Sequence, residues 1–154
     1  IQIFGGESSR SVGDDLLNKL TYLGLNAVSY EDSYMQLICA NNINENDLAI
    51  GVSYSGSSRD TVEAMKIAKD NGANTLVITN FEDAIINKYA DISIFASNFK
   101  SKIYGNAIFS RTSQIAIIDM IYMGIISSDY DKYSTILDRN GIVSSNRSLN
   151  KQNI

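Results

Sequence analysis

Short apolar runs alternate along the chain with amphipathic stretches of helical period, the pattern of βαβ units around a parallel sheet. Residues 1–4 read as the first strand. Residues 9–23 place Val12, Leu16, Leu20 and Leu23 on one helical face, and Gly24 follows as a stop. A second strand is expected at 25–30, a helix at 33–41 and a third strand at 47–53. Val62, Met65 and Ala68 then recur at helical spacing until Asn71-Gly72, and a buried strand follows at 75–79. A short helix at 82–88 and a fifth strand at 91–96 complete the alternation. Residues 107–126 carry isoleucines on more than one side of a long helix, which implies burial against the sheet and contact with a second subunit. Beyond Asp129 the pattern weakens, and residues 144–154 read as a polar, mobile tail.

Composition narrows the chemistry. The 154 residues, 44% hydrophobic and 19% charged, suit one globular domain, and no apolar run approaches the roughly 18–20 residues of a membrane span. Thirteen basic against 17 acidic side chains give a net charge of -4, the wrong balance for gripping a nucleic-acid backbone. The one cysteine, Cys39, has no intramolecular partner and reads as a buried, inert thiol in a reducing, cytoplasmic setting. There is no histidine, which excludes Ser-His-Asp and Cys-His catalysis and most zinc sites. There is also no proline, so helix ends rely on Gly, Asn and Ser/Asp caps. The sequence opens inside a strand without a methionine and reads as an excised or trimmed piece of a longer chain.

Two turns after strands concentrate small hydroxyl residues. The first is Gly5-Gly6-Glu7-Ser8-Ser9. The second, Ser53-Tyr54-Ser55-Gly56-Ser57-Ser58, runs into the helix that starts near Asp60. Serine hydroxyls, a glycine that lets the backbone turn and the free N–H groups of a helix start together make an anion cradle. Neither turn is a P-loop, and Gly5-Gly6 falls short of the dinucleotide fingerprint, so a single phosphate monoester is the better match. Helix capping by Ser57 or Ser58 is the plainer reading, worth about 0.5–2 kcal/mol, but capping alone does not use four serines. Arg111 reads as structural, and Tyr54 either stacks on a ligand or fills space.

The Ser-x-Ser-Gly-x-Ser turn after a parallel strand resembles the phosphate loop of the SIS (sugar isomerase) domain. The likeness runs over about residues 1–126 and is closest to the ligand-sensing domain of RpiR-type bacterial transcriptional regulators. It is carried also by Ile3-Phe4-Gly5 with Ser9, by Ala68-Lys69 with Gly72-Ala73 and Thr79-Asn80, by Ala90-Asp91, and by Ser110-Arg111 with Gln114, Ala116 and Asp119. The resemblance implies a three-layer αβα sandwich with a doubly wound five-stranded parallel sheet of flavodoxin-like type. It implies an SIS domain over 1–128, a C-terminal extension over 129–154 and a helix-turn-helix domain upstream.

By the same resemblance Ser9, Ser53, Ser55, Gly56, Ser57 and Ser58 bind a phosphosugar, with Glu7, Ser8 and Tyr54 as candidate sugar contacts. Relatives usually have glycine where this chain has Glu7, and an acidic residue where it has Lys100-Ser101-Lys102. The implied function is a sugar-phosphate sensor with no catalytic residue, metal or cofactor, working as a homodimer or higher homo-oligomer. It would reach DNA only through the upstream domain and would not contact a membrane. An aldose–ketose phosphosugar isomerase is the alternative, and a module without a ligand is a third reading.

Overall fold

A computed structural model describes residues 1–96 and 111–145. Five strands, β1 (Gln2–Phe4), β2 (Val28–Ser29), β3 (Leu48–Val52), β4 (Asn74–Thr79) and β5 (Ile92–Phe95), form one sheet in the order β2-β1-β3-β4-β5. Every pairing is parallel, in registers such as Gln2↔Ala49, Ala49↔Thr75 and Leu76↔Ile92. Helices α1 (Arg10–Tyr22), α2 (Ser33–Asn41), α3 (Arg59–Asp70), α4 (Thr112–Ser128) and α5 (Tyr130–Ser145) complete the described chain.

Side-chain alternation along the strands divides the core into two layers. Ile3, Ile50, Val52 and Ile78 pack with Val12, Leu16 and Leu20 of α1 and with Ile117 and Ile118 of α4. On the opposite face Phe4, Ala49 and Val77 pack with Ala40 of α2 and with Ala64, Met65 and Ala68 of α3. The result is the expected doubly wound α/β sandwich. Small residues let the helices approach the sheet closely: a Cβ on Gly51 would lie 2.8 Å from Met65 Cγ.

Several elements differ from the sequence expectation. The second strand shrinks from 25–30 to Val28–Ser29, because β2 is an edge with only β1 to pair against. The helix expected at 82–88 is a 3-10 turn, Ile85–Tyr89. Its Ile86 N–H donates instead to Gly56 O (3.1 Å), and the Asn87 amide donates to Phe81 O and Glu82 O, so an α-helical ladder does not form there. The long helix begins at Thr112, with residues 107–110 outside the described set. Where periodicity faded, α5 forms and seats buried Tyr133 with Ile136 and Leu137 against Leu23 and Ile126. Residues 144 and 145, expected in a tail, end that helix; 146–154 and Lys100-Ser101-Lys102 lie outside the described residues. Cys39 is half-buried against the α2–α3 face rather than fully buried. No described helix is long and apolar enough to cross a membrane.

Candidate functional site

Strand order reverses between β1 and β3, the position where open parallel sheets leave a crevice at their carboxyl ends. The turns after these two strands are the two singled out by sequence. A cavity of ≈ 470 Å³ opens between them, lined by Gly6, Glu7, Ser8 and Ser9 from the first turn and by Ser53, Tyr54, Ser55 and Ser58 from the second. Val52, Thr61 and Arg111 also line it. A Cβ on Gly6 would lie 3.9 Å from Ser58 Oγ, so the two turns face each other across a short gap.

The serines have separate duties. Ser53 is buried, and its Oγ accepts from the Gly56 N–H (3.1 Å), closing the turn on itself. Ser9 is also buried; its Oγ accepts from the Tyr54 N–H (3.1 Å) and so ties the first turn to the second. Ser55 Oγ accepts from the Ser57 N–H (3.3 Å) and meets Ser57 Oγ at 3.0 Å. Ser58 holds the N-cap position of α3, yet its hydroxyl makes no capping bond. It lines the cavity with that oxygen uncommitted to the helix. Gly56 and Ser57 lie outside the cavity lining. Gly56 has φ 62°, and a Cβ there would approach Ala84 Cβ to 2.4 Å, so this turn requires glycine on both conformational and steric grounds.

Two residues read as structural or not singled out at all prove central. Arg111, at the start of α4, lines the cavity, donates to Ser8 Oγ and places its guanidinium 4.6 Å from the Tyr54 ring centroid. Tyr54 is buried and packs edge-on to Phe81, with centroids 6.0 Å apart. Burial pushes its phenol pKa up, opposed by the nearby Arg111 charge. Gln36 of α2 is buried and clamps the first turn. Its Oε1 accepts from Gly5 N–H (3.2 Å), and its Nε2 donates to Gly5 O (3.0 Å) and Tyr30 O (2.7 Å). Neither signal is local: Gln36 is 31 positions from Gly5 and Arg111 is 103 from Ser8.

Chemically the cavity's lining suits an anion. Free N–H groups at the α3 N-terminus, serine hydroxyls and a guanidinium converge there, and Glu7 is the one carboxylate among the described residues of its lining. Among the described residues no group of His, Cys, Asp or Glu could hold a metal ion.

The SIS domain family model matches residues 1–124, and the chain belongs to that family. It is 31% identical over 150 residues to an uncharacterized HTH-type transcriptional regulator of Caldanaerobacter subterraneus, covering 97% of this chain and 53% of that protein. A second such regulator, from Haemophilus influenzae, is 31% identical over 131 residues, covering 85% of this chain and 46% of the relative. The chain thus spans about half the length of these curated relatives. Among solved structures, the Vibrio vulnificus NanR protein complexed with ManNAc-6P superposes with a TM-score of 0.88 at 21% identity, covering 97% of this chain and 56% of that one. The sugar isomerase domain of an RpiR transcription factor from Sphaerobacter thermophilus gives 0.80 at 23% identity, covering 91% and 76%. These two likenesses establish the fold.

Proposed function

We propose that this chain is the phosphosugar-sensing effector domain of an RpiR-type transcriptional regulator of the cytoplasm. The single observation that carries the reading is the cavity at the β1/β3 switch point, where the Ser53–Ser58 turn, the start of α3 and Arg111 converge. A phosphate there takes hydrogen bonds from Ser55, Ser58 and α3 N–H groups, and Arg111 supplies the countercharge. Ser9, Ser53, Gly56 and Ser57 build the turns that present those donors. Resemblance to HTH-type regulators supports a DNA-binding segment outside this sequence.

Occupancy acts on DNA binding only if ligand favours one of two arrangements over the other. Arg111 links the cavity to α4, whose Ile115, Met120 and Met123 are exposed, so a homo-oligomer joined through α4 would couple the site to subunit arrangement. Thermal-shift screening against hexose, hexosamine and pentose phosphates tests the reading. Stabilisation by at least one, lost in Arg111→Ala, supports it; no shift with any of them overturns it. The isomerase alternative rests on the Glu7 carboxylate as a proton acceptor in the cavity, and it requires aldose–ketose turnover by the purified domain.

A further inference from the structure

Beside the phosphate cavity lies a second one of ≈ 520 Å³, and the two share Gly6, Glu7, Ser58 and Thr61. The two ends of this double cleft differ in charge. Arg111 and serine hydroxyls line the first. Glu7, Glu31, Asp32 and Asp60 line the second, with no Lys or Arg among the described residues of its lining. Two of these carboxylates have helix-terminal duties. Asp32 Oδ1 caps α2 by accepting from Met35 N–H (2.9 Å), and Asp60 lies in the first turn of α3, where the helix dipole favours an anion.

Glu7 opens the 3-10 turn Glu7–Ser9 that leads into α1, and its side chain is not the cap of either element. It is exposed, it pairs with no basic side chain among the described residues, and it stands on the wall between the two cavities. Among the described residues it is also the one non-glycine at positive φ, 48°. Gln36 fixes the surroundings, because its amide joins the Gly5 backbone to Tyr30 O, immediately before Glu31 and Asp32. The carboxylate therefore projects from a braced turn rather than a loose one.

We infer that Glu7 is a specificity-determining residue and that the ligand class is an amino-sugar phosphate with a free ammonium group. This rests on the phosphosugar reading of the first cavity and names the substrate class of that same site. The phosphate lies at the Arg111 and serine end, and the ammonium meets Glu7 toward the acidic end. A hydroxyl in place of the amine offers a neutral donor and forfeits the ion pair; acetylation removes the charge and adds bulk. A second phosphate at that end meets carboxylates and is excluded.

Titration calorimetry of the wild-type protein with glucosamine 6-phosphate, glucose 6-phosphate and N-acetylglucosamine 6-phosphate tests this, repeated on Glu7→Gln and Glu7→Gly. Glucosamine 6-phosphate should bind about tenfold tighter than the other two, the scale of one charge-assisted contact. Glu7→Gln should reduce that preference to under about threefold, chiefly by weakening glucosamine 6-phosphate binding. Glu7→Gly, free of the positive-φ cost, provides a well-folded variant with the same expected loss of preference. Equal affinities in the wild type, or a preference that survives both substitutions, overturns the inference alone. Failure of all three to bind also overturns the inference, while the phosphosugar reading falls only if the wider thermal-shift screen of hexose, hexosamine and pentose phosphates is negative as well.

Discussion

Ser53 is buried with its hydroxyl holding the Gly56 N–H, whereas Ser58 leaves its hydroxyl in the cavity and out of the α3 cap. Substitution should separate these duties. Ser53→Ala strands a buried donor and should cost about 1–3 kcal/mol in chemical denaturation of the empty protein. Ser55→Ala with Ser58→Ala should leave the empty protein within about 1 kcal/mol of wild type while abolishing ligand-induced stabilisation, because the lost bonds are exposed. A large loss of stability in that double variant would assign these serines to the fold instead. Gly56→Ala should be the severest change in the turn. The left-handed backbone costs about 1–2 kcal/mol, and the Ala84 clash adds about 1–3 kcal/mol more. The serines and Gly56 were legible in the sequence because a turn is a local object, written in adjacent residues. Gln36 and Arg111 were not, because their roles exist only once distant segments meet, and an amide or guanidinium carries no periodic signal.

Elements with strong period-2 or period-3.6 patterning, such as β3, β4, α1 and α3, form close to where the sequence places them. Those that depart do so for nameable reasons: β2 is an edge strand, the 85–89 turn lends its N–H to Gly56, and α5 buries only a narrow strip. That strip makes α5 testable. Tyr133→Ala removes the main anchor and should cost about 2–3 kcal/mol, read in the unfolding midpoint. The start of β5 is fixed electrostatically. Asp91 pairs with Lys69 of α3 and accepts from Thr75 N–H (2.9 Å) and Thr75 Oγ1 (2.8 Å), so its carboxyl is lowered to about 2. The Lys69 hydrogen bond is the largest cause. A depressed folded-state pKa means the contribution is whole above the ordinary value of 3.8 and fades as pH falls from there toward 2. Melting followed from pH 5 to pH 2 should fall less steeply in Asp91→Asn than in wild type. Equal slopes would remove Asp91 from the acid response.

At the scale of the whole molecule, the 2-1-3-4-5 strand order brings the turns after β1 and β3 together and makes one crevice from two separated stretches of sequence. The architecture was readable from alternating patterns, since each βαβ unit must bury a sheet face on both sides. Which charges face into the crevice was not, because that depends on how α2 and α4 close over it. The central claim is that this crevice is a receptor for a phosphate monoester on a sugar. It is tested most directly by thermal unfolding of the wild-type protein with each sugar phosphate beside the same sugar without its phosphate. At 100 times Kd a bound ligand adds about 2.7 kcal/mol, which raises the midpoint of a domain this size by about 5–10 °C. The account expects a saturable rise of that order with at least one phosphosugar and none with its unphosphorylated counterpart. No rise with any phosphosugar, or an equal rise with the unphosphorylated sugar, would contradict it.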